Sequence, residues 1–96
     1  MRRAAKTDGN QTAIVDALRK AGAFVQSMAA IGRGCPDLLA GYRGQTYILE
    51  LKDGSKVPSA RRLTEDQIQW HADWTGGPLL VVESADDALK AIGATS

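Results

Sequence analysis

Two periodicities alternate along the chain. In "QTAIVDALRKAG" (11–22), Ile14, Val15, Leu18 and Ala21 fall on one stripe at helical spacing, and Gly22 closes the run as a natural C-cap. Asp8-Gly9-Asn10 offers N-cap chemistry ahead of it. "AFVQSM" (23–28) reads as a short strand and "AIGRGC" (30–35), with two glycines, as a flexible connection. "PDLLAGY" (36–42) is a second strand, opened by Pro36 at a position where a missing amide proton costs no ladder bond. Gly44 marks a turn into a third strand, "QTYILELK" (45–52).

A loop follows, "DGSKVPSARR" (53–62), rich in Gly, Ser and Pro and carrying Lys56, Arg61 and Arg62. Thr64 and Gln67 then form a capping box, with Thr64 as N-cap and Gln67 at N3. The helix they open runs through Trp74 and is ended by Gly76-Gly77-Pro78. "LLVV" (79–82) is continuously apolar, as expected of a strand buried on both faces. Ser84 caps a last helix, "ADDALKAIG". The order α-β-β-β-α-β-α, without repeat or low-complexity tract, predicts a small α/β domain whose sheet is flanked by helices. At 96 residues the chain is read as one domain, 1–96, with residues 1–8 expected to be flexible.

Composition changes this picture little; charge distribution changes it more. The formal net charge is only +1. Residues 1–62, however, hold eleven Lys and Arg against five acids, a balance of +6, while residues 63–96 hold one against six, a balance of −5. The first two-thirds could therefore face a phosphate backbone. The N-terminus "MRRAAKTDGNQ" is basic but leads into no apolar signal core, and no apolar run approaches the ~20 residues of a membrane span. The single cysteine, Cys35, makes neither an intrachain disulfide nor a multi-cysteine zinc site, so a reducing cytoplasm is the simplest setting.

The candidate chemistry sits in the third strand. Thr46, Ile48, Glu50 and Lys52 share one face, and Tyr47, Leu49 and Leu51 the other. Glu50 and Lys52 stand about 6.6 Å apart along the strand, so a carboxylate can hold a cation while an ammonium meets a neighbouring substrate group. One carboxylate binds Mg²⁺ poorly. Asp37, at the start of the preceding strand, is the natural second ligand, because a hairpin across Gly44 brings it opposite Glu50 to Lys52.

"PDLLAG", then "ILELKDGSK", then "LTEDQIQWHADW" together resemble the VRR-NUC family of the PD-(D/E)XK nuclease superfamily, in its small stand-alone bacteriophage and bacterial form. The resemblance spans about residues 10 to 92 and rests on Gly34, Pro36, Asp37, the Glu50-Leu51-Lys52-Asp53-Gly54 run, and Leu63-Thr64 with Gln67 and Trp70. It implies a restriction-endonuclease-like core with a mixed central sheet. It also implies Asp37, Glu50 and the Leu51 carbonyl as ligands to Mg²⁺ or Mn²⁺, with Lys52 positioning the attacking water or stabilising the phosphate and Gln67 supporting the site. Relatives often place an acid on the first helix; here Asn10-Gln11 stands at that position, and Asn10 is either a neutral oxygen ligand or only a helix cap. The implied activity is hydrolysis of DNA phosphodiester bonds by a homodimer acting on branched DNA such as Holliday junctions.

The residues also allow plainer roles. The capping box alone is the alternative role of Gln67. His71, one turn beyond it, is a substrate contact, a proton carrier or simply a polar helix residue. Cys35 reads as a small packing residue, and Trp70 and Trp74 as core or, in the minority, as a dimer contact. Lys56, Arg61 and Arg62 are candidates to track phosphates or else solvated loop charges, with Arg33 and Arg43 weaker candidates. Two rivals to the nuclease remain. A non-catalytic nucleic-acid-binding module would tolerate loss of Glu50 or Lys52. A metal-dependent structural domain would ignore DNA.

Overall fold

The structure is a computed structural model and describes residues 10–95; the segment 1–8 expected to be flexible, and with it the Asp8-Gly9 part of the expected cap, lie outside those residues. Three helices and four strands follow in the predicted order: α1 Gln11–Lys20, β1 Phe24–Ser27, β2 Leu38–Tyr42, β3 Gln45–Leu51, α2 Glu65–Asp73, β4 Leu79–Val82 and α3 Ala85–Ala91. A 3-10 turn, Pro58–Arg61, lies within the long loop. The strands form one sheet in the order β1-β2-β3-β4. The first three run antiparallel, and β4 lies parallel to β3, so the sheet is mixed.

Local chemistry accounts for this connectivity. Between β2 and β3 the two turn residues, Arg43 and Gly44, both take positive φ (50° and 81°), as a tight two-residue hairpin requires. A parallel partner cannot be reached by a hairpin. The loop 53–63 and α2 supply the crossover to β4.

Alternation along β3 divides the molecule. Leu49 and Leu51 join Ile14 and Leu18 of α1, Val25, Leu38, Ala40, Val82, and Ala88 and Ile92 from the α3 end in one core. Here α1 and α3 lie against each other over the sheet. On the opposite face Glu50 meets side chains of α2. The helices thus flank both faces, and the polar face is the one that carries the candidate site.

Two sequence expectations are corrected here. β4 is not buried on both faces: Val81 is 45 % exposed. It is the sheet's last strand, and only Leu80 and Val82, aligned with Leu49 and Leu51, reach the core, while Val81 pairs with Glu50 on the other face. Nor do Trp70 and Trp74 fill the core. They stack on each other with ring centroids 5.2 Å apart, and the Trp74 indole N–H donates to the Gly77 carbonyl at 2.8 Å. The inward stripe of α2 is Gln67 and His71, and the tryptophans sit roughly 60° around the helix from it.

Gly34 joins the loop before Asp37 to the first turn of α2. Its φ is +82°, and a Cβ there would collide with the Asp66 carbonyl, whereas Gly32, at +75°, has open space around it. Alanine at Gly32 should therefore cost about 1–2 kcal/mol, the price of left-handed backbone alone. Alanine at Gly34 should cost clearly more, read from urea denaturation midpoints. Equal costs would show that the close approach to Asp66 is not a constraint.

Candidate active site

Asp37 extends β2 by one residue. Its N–H donates to the Leu49 carbonyl at 3.1 Å, and its own carbonyl accepts from the Met28 N–H at 2.7 Å. Its carboxylate Oδ2 accepts the Leu51 N–H at 2.7 Å. The side chain is thus pinned beside the backbone of β3, next to Glu50, as the hairpin reasoning requires.

Glu50 is 1 % exposed, the only buried charged side chain among the described residues. A carboxylate withdrawn from water persists as an anion only if hydrogen bonds and opposite charge replace the solvent. Gln67 Nε2 donates to its Oε2 at 3.2 Å, and His71 Nε2 lies 3.3 Å from its Oε1. The Lys52 ammonium donates to Gln67 Oε1 at 2.9 Å. Gln67 therefore stands between the acid and the base of β3. The same Oε1 accepts the Thr64 N–H at 2.9 Å, and the Thr64 hydroxyl accepts the Gln67 N–H at 3.2 Å. The capping-box bonds and the contacts to Glu50 and Lys52, weighed as alternatives from the sequence, are made by one side chain.

Electrostatics around this cluster are consistent with its burial. The His71 ring is held below its ordinary value first by burial and then by the charge on Lys52, which keeps it neutral near pH 7. Burial, then Glu50, then Asp37 push the Cys35 thiol up. A protonated thiol is a poor nucleophile, which gives no support to Cys35 as one.

The remaining candidates separate. Asn10 is the N-cap of α1, yet its side chain makes no capping bond. Instead its amide donates to the carbonyls of Lys52 and Glu83, each at 3.1 Å, while Oδ1 is buried without a partner. The cleft it lines is bounded by Asp53, Gly54, Ser55, Glu83, Ser84, Ala85 and Asp87, and includes neither Asp37 nor Glu50. The side chain ties down the strand ends after β3 and β4. Arg61 is not an uncommitted loop cation either, because its guanidinium pairs with Glu83 at 3.1 Å. Lys56, Arg62 and Arg33 are exposed. Arg43 lies in the hairpin turn over the Tyr42 ring, at the opposite end of β3 from Lys52.

Among the described residues no group of three or more His, Cys, Asp and Glu side chains is arranged to hold a metal. The available side chains are Asp37, held on the Leu51 N–H, and Glu50. Two carboxylates suit Mg²⁺, which fills its octahedron with water and substrate phosphate oxygens, better than they suit zinc, which takes histidine and thiolate ligands. His71 is the residue that sequence reasoning undervalued. The available signal was its position four residues after Gln67, on the same helix face. No protein-family model matches the chain, and neither any curated protein nor any solved structure is significantly similar to it.

Gln67→Glu separates the two roles of that residue. Glutamate satisfies a capping box as well as glutamine, but it would set a second carboxylate against Glu50. Thermal melting should show Gln67→Glu destabilised; an unchanged midpoint would reduce Gln67 to a cap. His71 gives a pH prediction for the metal-free protein. Its folded-state value lies below the unfolded one, so its contribution to stability is fully present above about pH 6.5 and is lost as the pH falls through that value toward the folded one. Urea midpoints should therefore decline across this window more in wild type than in His71→Gln, and parallel curves would contradict the assignment.

Proposed function

We propose that the protein is a divalent-metal-dependent nuclease that hydrolyses phosphodiester bonds in DNA. The observation that carries this reading is the convergence of Asp37 and buried Glu50 at one end of β3, with Lys52 joined to Glu50 through Gln67. A core side chain would stabilise the sheet better than a buried carboxylate does; a pair of carboxylates beside an ammonium is the arrangement that metal-assisted phosphate chemistry needs. The likeness of these segments to VRR-NUC nucleases supports the same reading.

Asp37, Glu50 and the Leu51 carbonyl would hold Mg²⁺ or Mn²⁺, which lowers the pKa of a bound water and offsets phosphate charge. The chain's own residues do the rest. Glu50 is oriented by Gln67 and His71. Lys52, two residues along the same strand face, presents its ammonium to the scissile phosphate and stabilises the charge that develops there. Gln67 holds that ammonium at a fixed distance from Glu50. Exposed Lys56, Arg62 and Arg33 supply positive charge for the flanking backbone.

No segment resembles a module that reads base edges, so selectivity is assigned to nucleic-acid shape. With the family likeness, this extends the reading to a homodimer that nicks branched DNA such as Holliday junctions, with one active site per subunit. The lone cysteine suits the reducing cytoplasm of a bacterial cell or phage-infected host. Among the described residues, no helix is long and apolar enough to cross a membrane.

The test compares wild type with Lys52→Ala on four-way-junction, flap and linear duplex DNA, with Mg²⁺, Mn²⁺ or EDTA. Wild type should cleave only with metal and prefer branched substrates, and Lys52→Ala should lose roughly 10²–10³-fold in rate. DNA binding without cleavage, equal in both proteins, would instead favour a non-catalytic binding module.

A further inference from the structure

Glutamate has enough rotatable bonds to present its carboxylate in many directions, and metal binding rewards one of them. Two side chains one turn apart on α2 reach the two oxygens of Glu50 separately: Gln67 Nε2 to Oε2 at 3.2 Å, and His71 Nε2 to Oε1 at 3.3 Å. Gln67 is also required by the capping box. His71 stands in the last turn of α2, where capping makes no such demand. Its side chain is only 17 % exposed, and its Nε2 is directed at a carboxylate that is itself 2 % exposed. A merely polar surface residue would not need to be shielded in this way.

The geometry points to His71 as a positioning residue for the metal site: by donating from Nε2 to Oε1 while Gln67 donates to Oε2, it fixes the plane of the Glu50 carboxylate. This inference rests on the metal-site reading above and adds to it the residue that orients the ligand. A carboxylate offers about four lone-pair directions, so two donors do not by themselves preclude a cation. With one donor removed, the carboxylate plane is held less tightly, and the cation must meet the cost of ordering it again. Partners of this kind typically account for about 10- to 100-fold in metal affinity.

Calorimetric titration with Mn²⁺, in the absence of DNA, tests this on wild type, His71→Phe, His71→Leu and His71→Gln. Phenylalanine and leucine fill space without donating, and glutamine restores an N–H donor. The expected result is Mn²⁺ binding by wild type, a loss of roughly 10- to 100-fold in His71→Phe and His71→Leu, and recovery in His71→Gln. Amide NMR spectra establish which variants are folded. If neither donorless variant folds, His71→Gln decides, since it must keep near-wild-type affinity. Wild-type affinity in a folded His71→Phe, or equal loss in the phenylalanine and glutamine variants, would overturn the role of His71 and leave the metal site standing. Wild type that binds no Mn²⁺ would overturn both.

Discussion

The arrangement depends on one costly choice, the burial of the Glu50 carboxylate within a central strand. Leucine at that position would pack against the same helix and leave no charge to desolvate. Because glutamate stands there, α2 must present hydrogen-bond donors inward, and Gln67 and His71 do so. That requirement turns Trp70 and Trp74 toward the surface. The Gln67 oxygen is then left to accept from Lys52 and from the first turn of its own helix. Capping, charge placement and the packing of α2 on the sheet thereby become one problem with one solution.

Asp37 solves a different problem with the same economy. It sits where β2 begins, and its carboxylate accepts the Leu51 N–H. The two acids are brought together by strand register, fixed in turn by the two-residue turn at Arg43 and Gly44. A one-residue slip would carry Glu50 to the core side, among Ile14, Leu38 and Val82. The apolar alternation of β3 opposes such a slip, so the hydrophobic core enforces the geometry of the polar site behind it.

Most of the fold was legible in the sequence because its signals were local: the stripe of Ile14 and Leu18, the Gly44 turn and the Thr64–Gln67 box. Asp37, Glu50, Lys52 and Gln67 were legible as a group because strand alternation and a short hairpin determine which side chains can meet. What escaped was tertiary. "LLVV" reads as doubly buried, but being the last strand of a sheet is not written in four residues. The tryptophans look like core by size, and only the polar demand of Glu50 rotates them outward. Arg61 looks available until Glu83, twenty-two residues later, is folded beside it. Asn10 looks like a cap, although its amide reaches carbonyls at both strand ends.

Whether Asp37 and Glu50 share one cation is read from anomalous scattering of crystals grown with Mn²⁺. A shared cation gives a peak at direct ligand distance from both carboxylates and the Leu51 carbonyl, and no such peak in Glu50→Gln. A wild-type crystal with no peak there, or with manganese bound only in the cleft lined by Asp53, Glu83 and Asp87, would contradict it.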